Sequence, residues 1–446
     1  MHVKDAPLVS LIHLGCARNL IDSELILGRM AEEGLVITDD PTSAHTVVLN
    51  TCSFIGPARE ESYGAIRNLL ERKRTGEIKG VVVAGCLVQR YKQRLAEDFP
   101  EVDVFAEISD YRSLAKNVAG LVRGDRVPSY LESPGLRPPD RDGARLLATP
   151  GSYAYLRISH GCDHTCSFCA IPSIRGPHRS KRPSVVLEEA SELIAAGVSE
   201  LVLVAEDATA WGRDFDMELP DLVEALGDLD GDHRVRVMYA YPNRFPWRLT
   251  ELLADHPRVL PYLDIPIQHA ATPVLRAMGR AGSGDQVRRT LERLLESVPG
   301  IMLRTTVLLG FPGETDADVE QLAKMIRDLR LSRLGAFTYS PEEGTSGFKL
   351  EDDVPRAVAK ERARHILEVR DEVLSEVQAS YVGKEIEVLV DEAAGEQGVL
   401  VARSALDAPE VDLRTFVRDS EAEVGDRLRV RVTEVDDEFE WICDKV

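Results

Sequence analysis

Three short runs of apolar and β-branched residues each stop at a cysteine: SLIHLGC at Cys16, HTVVLNTC at Cys52 and GVVVAGC at Cys86. Runs of this length and composition suit buried parallel strands. Each leads into a stretch with helical character, namely DSELILGRMAEEG, EESYGAIRNLLERK and VQRYKQRLAEDF. Strand-then-helix units restrict residues 1–122 to a parallel α/β domain. In such a sheet the carboxyl ends of the strands share one edge, where ligands bind. Three thiols far apart in sequence are therefore expected to meet there. Any one of them could be a small buried hydrophobe, but three at the same topological position argue for a three-cysteine site. The flanking sequences share nothing beyond strand followed by helix, so the near-regular spacing is not a true repeat.

A second triplet, Cys162, Cys166 and Cys169, lies in GCDHTCSFCAIPSIRG. A [4Fe-4S] cluster takes four ligands, so three cysteinates on one loop leave an iron open to a chelating small molecule. The pattern CxxxCxxC followed by Ile-Pro resembles that of the radical S-adenosylmethionine enzymes, whose open iron takes the amino and carboxylate groups of that nucleosyl methionine. Zinc is the competing reading, because His160, His164 and His178 lie near enough in sequence to complete a Cys₃His set. Structural zinc sites more often draw on two separated ligand pairs. Seven cysteines is an odd number, and the two triplets leave Cys443 over as a buried strand residue; this usage fits metal binding rather than a disulfide framework.

The chain has 446 residues, enough for about three domains. Residues 123–152 are rich in Pro, Gly, Arg and Asp without hydrophobic period and read as a linker. From 153 to 380 six strand candidates alternate with helical stretches: YAYLRIS, ELVLVAED, RVRVMYAY, YLDIPIQ, IMLRTTVLLG and RLGAFTYS. Six βα units imply a partial (β/α)6 barrel with its site at the carboxyl ends of the strands. Cys162 follows the first strand, Glu206 and Asp207 close the second, and Gly310-Phe-Pro-Gly313-Glu-Thr315 closes the fifth. All are placed to touch a bound nucleotide. GFPGET lacks the Lys-Ser/Thr of a phosphate-binding loop, and Thr315 could simply cap the next helix; Glu206 and Asp207 could equally belong to a solvated loop. A long charged helix is expected from about Val354 to Ser380. After it, residues 381–446 carry the alternating runs KEIEVLVDE, GVLVARSAL and DRLRVRVTEV of a small antiparallel β-barrel. This tail holds 18 Asp and Glu against 8 Lys and Arg, a net −10 within a chain of −21. Such a surface repels nucleic-acid phosphates and attracts a basic partner, unless it serves solubility alone. MHVKDAPLVSLIHLG has neither the cationic start nor the cleavable segment of a signal peptide, and no apolar run reaches bilayer length. A cytoplasmic location without membrane contact is expected.

Taken together, GCARNLIDSE, NTCSFIGPAREES, AGCLVQRY, GCDHTCSFCAIPSIRGPHRS, LLGFPGET and YSPEEGT resemble the methylthiotransferase family of radical S-adenosylmethionine enzymes over essentially the whole chain. That family joins an N-terminal methylthiotransferase domain, a radical core and a C-terminal TRAM domain. The resemblance is strongest to the branch that modifies an aspartate of the twelfth protein of the small ribosomal subunit (S-twelve). It implies an auxiliary [4Fe-4S] cluster on Cys16, Cys52 and Cys86 and a radical-generating one on Cys162, Cys166 and Cys169. It further implies S-adenosylmethionine as methyl donor and radical source, with Glu206, Asp207, Gly310 and Gly313 as nucleotide-contact candidates. S-twelve, free or in the small subunit, would be the partner, together with an electron donor and a sulfur source and without a direct tRNA substrate. A β-carbon C–H bond is too weakly acidic for a side-chain base, which is why a carbon radical is required. Two other readings compete: a sibling branch acting on an adenosine of tRNA, and a non-catalytic iron–sulfur or zinc module associated with ribosomes. Ala17-Arg18 replaces a frequent Pro-Lys, His160 a frequent acid and Glu206 a frequent amide; the last makes a nucleotide contact from Glu206 less secure.

Overall fold

The computed structural model describes residues 7–108, 110–133, 135, 145–351, 353–393, 398–418 and 421–446. The chain divides into two compact units. The first comprises Met1–Ala148 with His160–Asp163 and Cys169–Pro177; the second comprises Thr149–Ser159, His164–Phe168 and His178–Val446.

In the first unit six strands pair in parallel: β1 (Leu8–His13), β2 (Val36–Ile37), β3 (Thr46–Thr51), β4 (Gly80–Gly85), β5 (Val104–Ala106) and β6 (Tyr130–Leu131), in the order β2-β1-β3-β4-β5-β6. Every residue of β3 and β4 is buried, which explains their unbroken apolar composition. Three of these strands match the cysteine-terminated runs. The other three have two or three residues each, too few to leave a pattern. One of them, β6, falls in the stretch read as a linker, whose first part therefore extends the sheet; residues 134 and 136–144 of that stretch lie outside the described residues. The expected helix over VQRYKQRLAEDF is two helices, Cys86–Tyr91 and Gln93–Asp98. They break at Lys92, whose φ of 52° is left-handed and cannot continue a helix.

The first strand of the second unit is β7 (Tyr153–Arg157); of the two-residue strand β8 (Ser159–His160) only Ser159 belongs to this unit, and β9 (Arg179–Ser180) follows. Then follow β10 (Glu200–Val204), β11 (Arg234–Val237), β12 (Val259–Asp264), β13 (Met302–Leu309) and β14 (Arg333–Thr338). The six main strands form a parallel sheet in the order β14-β13-β12-β11-β10-β7 that stays open between β7 and β14. Helices alternate with them, and some are started by a capping box. Ser283 and Gln286 make a capping box for Gly284–Ser297, and Thr315 and Asp318 make one for Asp316–Leu329. The long charged helix spans Arg356–Ala379.

The tail closes into a five-stranded barrel of β15 (Glu385–Glu392), β16 (Leu400–Ser404), β17 (Thr415–Arg418), β18 (Arg427–Val435) and β19 (Trp441–Lys445), ordered β15-β16-β17-β19-β18. In β18 the buried residues alternate with exposed ones, as RLRVRVTEV suggests. One pair departs from the antiparallel expectation. β17 and β19 run parallel because β18 intervenes between them in sequence and reverses the chain. Cys443 is buried in β19 beside Trp441.

The barrel is tied to the sheet through buried charge. Glu200 at the start of β10 accepts from Arg236 at 2.7 Å and from Arg403 at 2.9 Å. Arg403 also binds Asp391, and Arg333 binds Asp407 at 2.7 Å. Tyr153 and Tyr155 donate to Glu410, and Tyr262 donates to Asp412. Burial opposes ionisation of Glu200, yet Arg236 and Arg403 outweigh it and hold the carboxyl down at about 2. Asp391, which also accepts from Ser152 Oγ at 2.7 Å, and Asp407, Glu410 and Asp412 thus bond outside the barrel, so the tail's acidic surplus is not all available to a partner.

Candidate functional site

In the first unit, Cys16, Cys52 and Cys86 stand at the carboxyl ends of β1, β3 and β4. Cys16 N-caps the helix Ala17–Glu32, Cys52 follows β3 directly, and Cys86 opens its helix. Glycines make the convergence possible. Gly15 has φ +112°, and a Cβ there would come within 2.9 Å of Cys52 Cβ. Gly85 has φ +98°, and its Cβ would lie 2.2 Å from Asn50 Oδ1. Only glycine fits either place without strain.

A buried polar lattice fixes these turns. Asn19 donates to the Leu14 and Thr51 carbonyls, Asn50 donates to the Asn19 carbonyl and to Ser23 Oγ at 2.8 Å, and the Ser62 hydroxyl bonds both Cys52 N and O. Arg175, which ends the short helix after Cys169, donates to Asp22 at 2.7 Å and to Cys86 Sγ at 3.3 Å. Burial pushes the Cys86 thiol up to about 11, with Arg175 pulling the other way. Burial also opposes ionisation of Cys16, but Arg18 and Arg175 prevail and hold it below the ordinary thiol range. Sequence reasoning found the three thiols and missed Asn19, Asn50, Ser62 and Arg175. Their only sequence trace is that polar residues interrupt otherwise apolar ground.

On the loop after β7, Cys162, Cys166 and Cys169 are all partly exposed. Within the first unit, Cys162 N donates to Gly176 O at 3.0 Å, and Gly161 has φ +74° because a Cβ would strike Pro177 O. Within the second unit, Ser167 is anchored at three points. Its N–H donates to Met278 O, its hydroxyl to Ala277 O, and its carbonyl accepts from Gly347 N at 2.7 Å. Arg280 reaches to 3.8 Å from Cys166 Sγ, donates to Pro266 O and lies 4.1 Å over the Tyr241 ring. His164 stacks on that ring at 3.9 Å, and its Nε2 sits 2.7 Å from Asp207. Asp207 is buried, which would raise its carboxyl, but the bonds from His164 and Thr209 hold it below the ordinary range.

The expected nucleotide contacts have partners within the chain. Asp207 N-caps the turn Ala208–Ala210 through Thr209 and anchors the cysteine loop through His164. Glu206 is partly buried beside it. Gly310 N donates to the buried Glu314 carboxylate, which also accepts from Arg362, and Gly313 N donates to Asp353. Thr315 is a helix cap, as one of the two readings of GFPGET had it. Of the histidines offered for zinc, His164 is engaged by Asp207 and His178 by Ser180. Among the described residues no three His, Cys, Asp or Glu side chains are grouped to hold a single metal ion. Cysteinates binding separate irons of one cluster need no such grouping, and three thiols with a guanidinium beside them form a soft, anion-compensating donor set.

Three family descriptions match the chain in series: an uncharacterized protein family, UPF0004, over residues 9–107, the radical SAM superfamily over 156–326, and the TRAM domain over 382–438. The proteins named "Ribosomal protein uS12 methylthiotransferase RimO" from Trichlorobacter lovleyi and Sorangium cellulosum are each 40% identical, covering 96% of this chain and 96% and 89% of their own. The namesake from Geobacter sulfurreducens is 37% identical with 96% of both chains covered. This chain belongs to the RimO methylthiotransferase family. Among solved structures, the radical S-adenosylmethionine methyltransferase TsrM from Kitasatospora setae aligns with a TM-score of 0.54 at 16% identity, covering 74% of this chain and 73% of that one. At that identity the likeness speaks to fold alone, and it agrees with the open six-stranded sheet. Family membership implies [4Fe-4S] clusters and S-adenosylmethionine as cofactors. Among the described residues no helix is long and apolar enough to cross a membrane.

Proposed function

We propose that this enzyme places a methylthio group on the β-carbon of an aspartate in S-twelve (uS12), acting in the cytoplasm on the free protein or the small subunit. The observation that carries this reading is the end-to-end likeness to RimO proteins, across all three domains, combined with two cysteine triplets at strand carboxyl ends. In this reading Cys16, Cys52 and Cys86 hold the auxiliary cluster, and Cys162, Cys166 and Cys169 hold the radical-generating one. When bound, the clusters and S-adenosylmethionine supply one-electron chemistry and the sulfur and methyl of the transferred group.

The chain's own residues position and shield. Asp207 and His164 pin the cysteine loop, Ser167 locks its centre to the Ala277–Met278 turn, and Arg280 offers a cation to Cys166. Gly15 and Gly85 let the backbone pass close enough for Cys16 and Cys86 to approach Cys52. Glu206 and Asp207 at the end of β10 stay nucleotide-contact candidates, with Gly310 and Gly313 at the end of β13. An electron donor and a sulfur source complete the reaction. Methylthiolation assays on purified S-twelve and on tRNA test the proposal: S-twelve should gain the mass of a methylthio group and tRNA should be unchanged. Modification of tRNA in place of S-twelve overturns the substrate assignment, and absence of 5′-deoxyadenosine from reduced enzyme overturns the radical chemistry.

A further inference from the structure

Arg175 follows the radical-motif cysteines in sequence, yet its side chain serves the other triplet. It is 6% exposed and forks between Cys86 Sγ at 3.3 Å and Asp22 Oδ2 at 2.7 Å, with Asp22 itself 1% exposed on the helix that Cys16 caps. Burying such a pair carries a desolvation cost on each ion before their attraction is counted, and an apolar pair of similar volume commonly holds a fold as well. A charge pair retained at this position, with one member hydrogen-bonded to a ligand sulfur, has an electrostatic consequence that packing does not explain. A donor and positive charge at a cluster thiolate stabilise the reduced, more negative cluster, and a nearby carboxylate does the reverse.

We propose that Arg175 and Asp22 are positioning residues that set the reduction potential of the auxiliary cluster as an opposed pair, Arg175 raising it and Asp22 holding it down. This rests on Cys16, Cys52 and Cys86 being that cluster's ligands. The pair also orients one ligand: with Asp22 fixing one arm of the guanidinium, the other lies against Cys86 Sγ.

The test uses the full-length chain carrying Cys162, Cys166 and Cys169 to Ala, reconstituted anaerobically so that one cluster remains, with its midpoint potential followed by EPR in a redox titration. Arg175→Gln should shift the one-electron equilibrium about tenfold toward the oxidised form, about 59 mV lower. Asp22→Asn should move it the opposite way, and Arg175→Lys, which keeps the charge, should fall between Arg175→Gln and the parent. Shifts in the same direction for Arg175→Gln and Asp22→Asn, or none in either, refute the opposed pair. If Arg175→Gln binds no iron, Arg175→Lys and Asp22→Asn decide by the same signs. A parent that assembles no cluster refutes the ligand assignment, and the proposal with it.

Discussion

Replacing Glu200 with Gln should destabilise the second unit more than any exposed substitution, because it leaves two buried guanidiniums facing a neutral amide. Glu200 is 3% exposed, Arg236 0% and Arg403 3%. Removing one member of such a cluster costs about 3–5 kcal/mol. The carboxyl's own titration gives an independent figure. It is held at about 2 against an ordinary 4.5, and at about 1.4 kcal/mol per pH unit this corresponds to roughly 3 kcal/mol. Because the folded value is the lower one, this stability is fully present above pH 4.5 and disappears as pH falls toward 2; about 2 kcal/mol should be gone by pH 3. Urea unfolding of the cluster-free full-length protein, followed by tryptophan fluorescence, measures both, since Trp441 is buried where the barrel meets the helix Arg356–Ala379. Other carboxylates titrate too, so the quantity to compare is the gap between parent and E200Q, wide at pH 7 and narrowing in acid. A gap under about 1 kcal/mol at pH 7, or one that does not change with pH, would refute the reasoning.

Anaerobic reconstitution should give about eight irons per chain, as two four-iron clusters require, and changing Cys162, Cys166 and Cys169 to Ala should remove about half; zinc without iron in that variant's parent loop counts against the assignment. The Cys16, Cys52 and Cys86 triple Ala variant should still cleave S-adenosylmethionine reductively but transfer no methylthio group, whereas the core variant should do neither, and full transfer by the former would show that the roles are reversed. Asp437 and Glu438 are exposed in the turn before β19, so D437K/E438K should weaken S-twelve binding up to about tenfold and flatten its salt dependence without changing reductive cleavage. An unaltered Kd acquits that patch. Asp436 is better left in place, because its carboxylate accepts from the Glu438 and Glu440 amides and shapes the turn.

The elements that sequence patterns revealed are those whose side chains repeat. The runs ending at Cys16, Cys52 and Cys86 are strands because continuous burial demands continuous apolarity, and the six core strands alternate with helices long enough to show a period. What stayed hidden was set by contacts distant in sequence. β6 is two residues long and depends on pairing with β5, Lys92 breaks a helix that its local sequence favours, and β17 pairs in parallel with β19 through topology alone. The placing of Cys16, Cys52 and Cys86 at strand ends was legible because apolar runs and their ends are local facts. Asp207 is a nucleotide-contact candidate by its place at a strand end; that its carboxylate also bonds His164 and Thr209 is set by the fold, and no neighbouring residue announces the His164 bond. Arg175 was invisible for the same reason, since Asp22 and Cys86 reach it from 153 and 89 residues away.

Synthesis runs from the amino end, and the charged floor beneath the parallel sheet is finished late. Glu200 waits 203 residues for Arg403, and Arg333 waits 74 for Asp407. A chain stopped after Ala379 would have every sheet strand and both cysteine triplets, yet Arg333, Tyr262 and the Arg236–Glu200 pair would face water through an unsealed base. Such a fragment should be more open to proteolysis than the full chain, because charges that the barrel buries would be hydrated. The closing barrel thereby ties the burial of the sheet's charges to the segments that are made last.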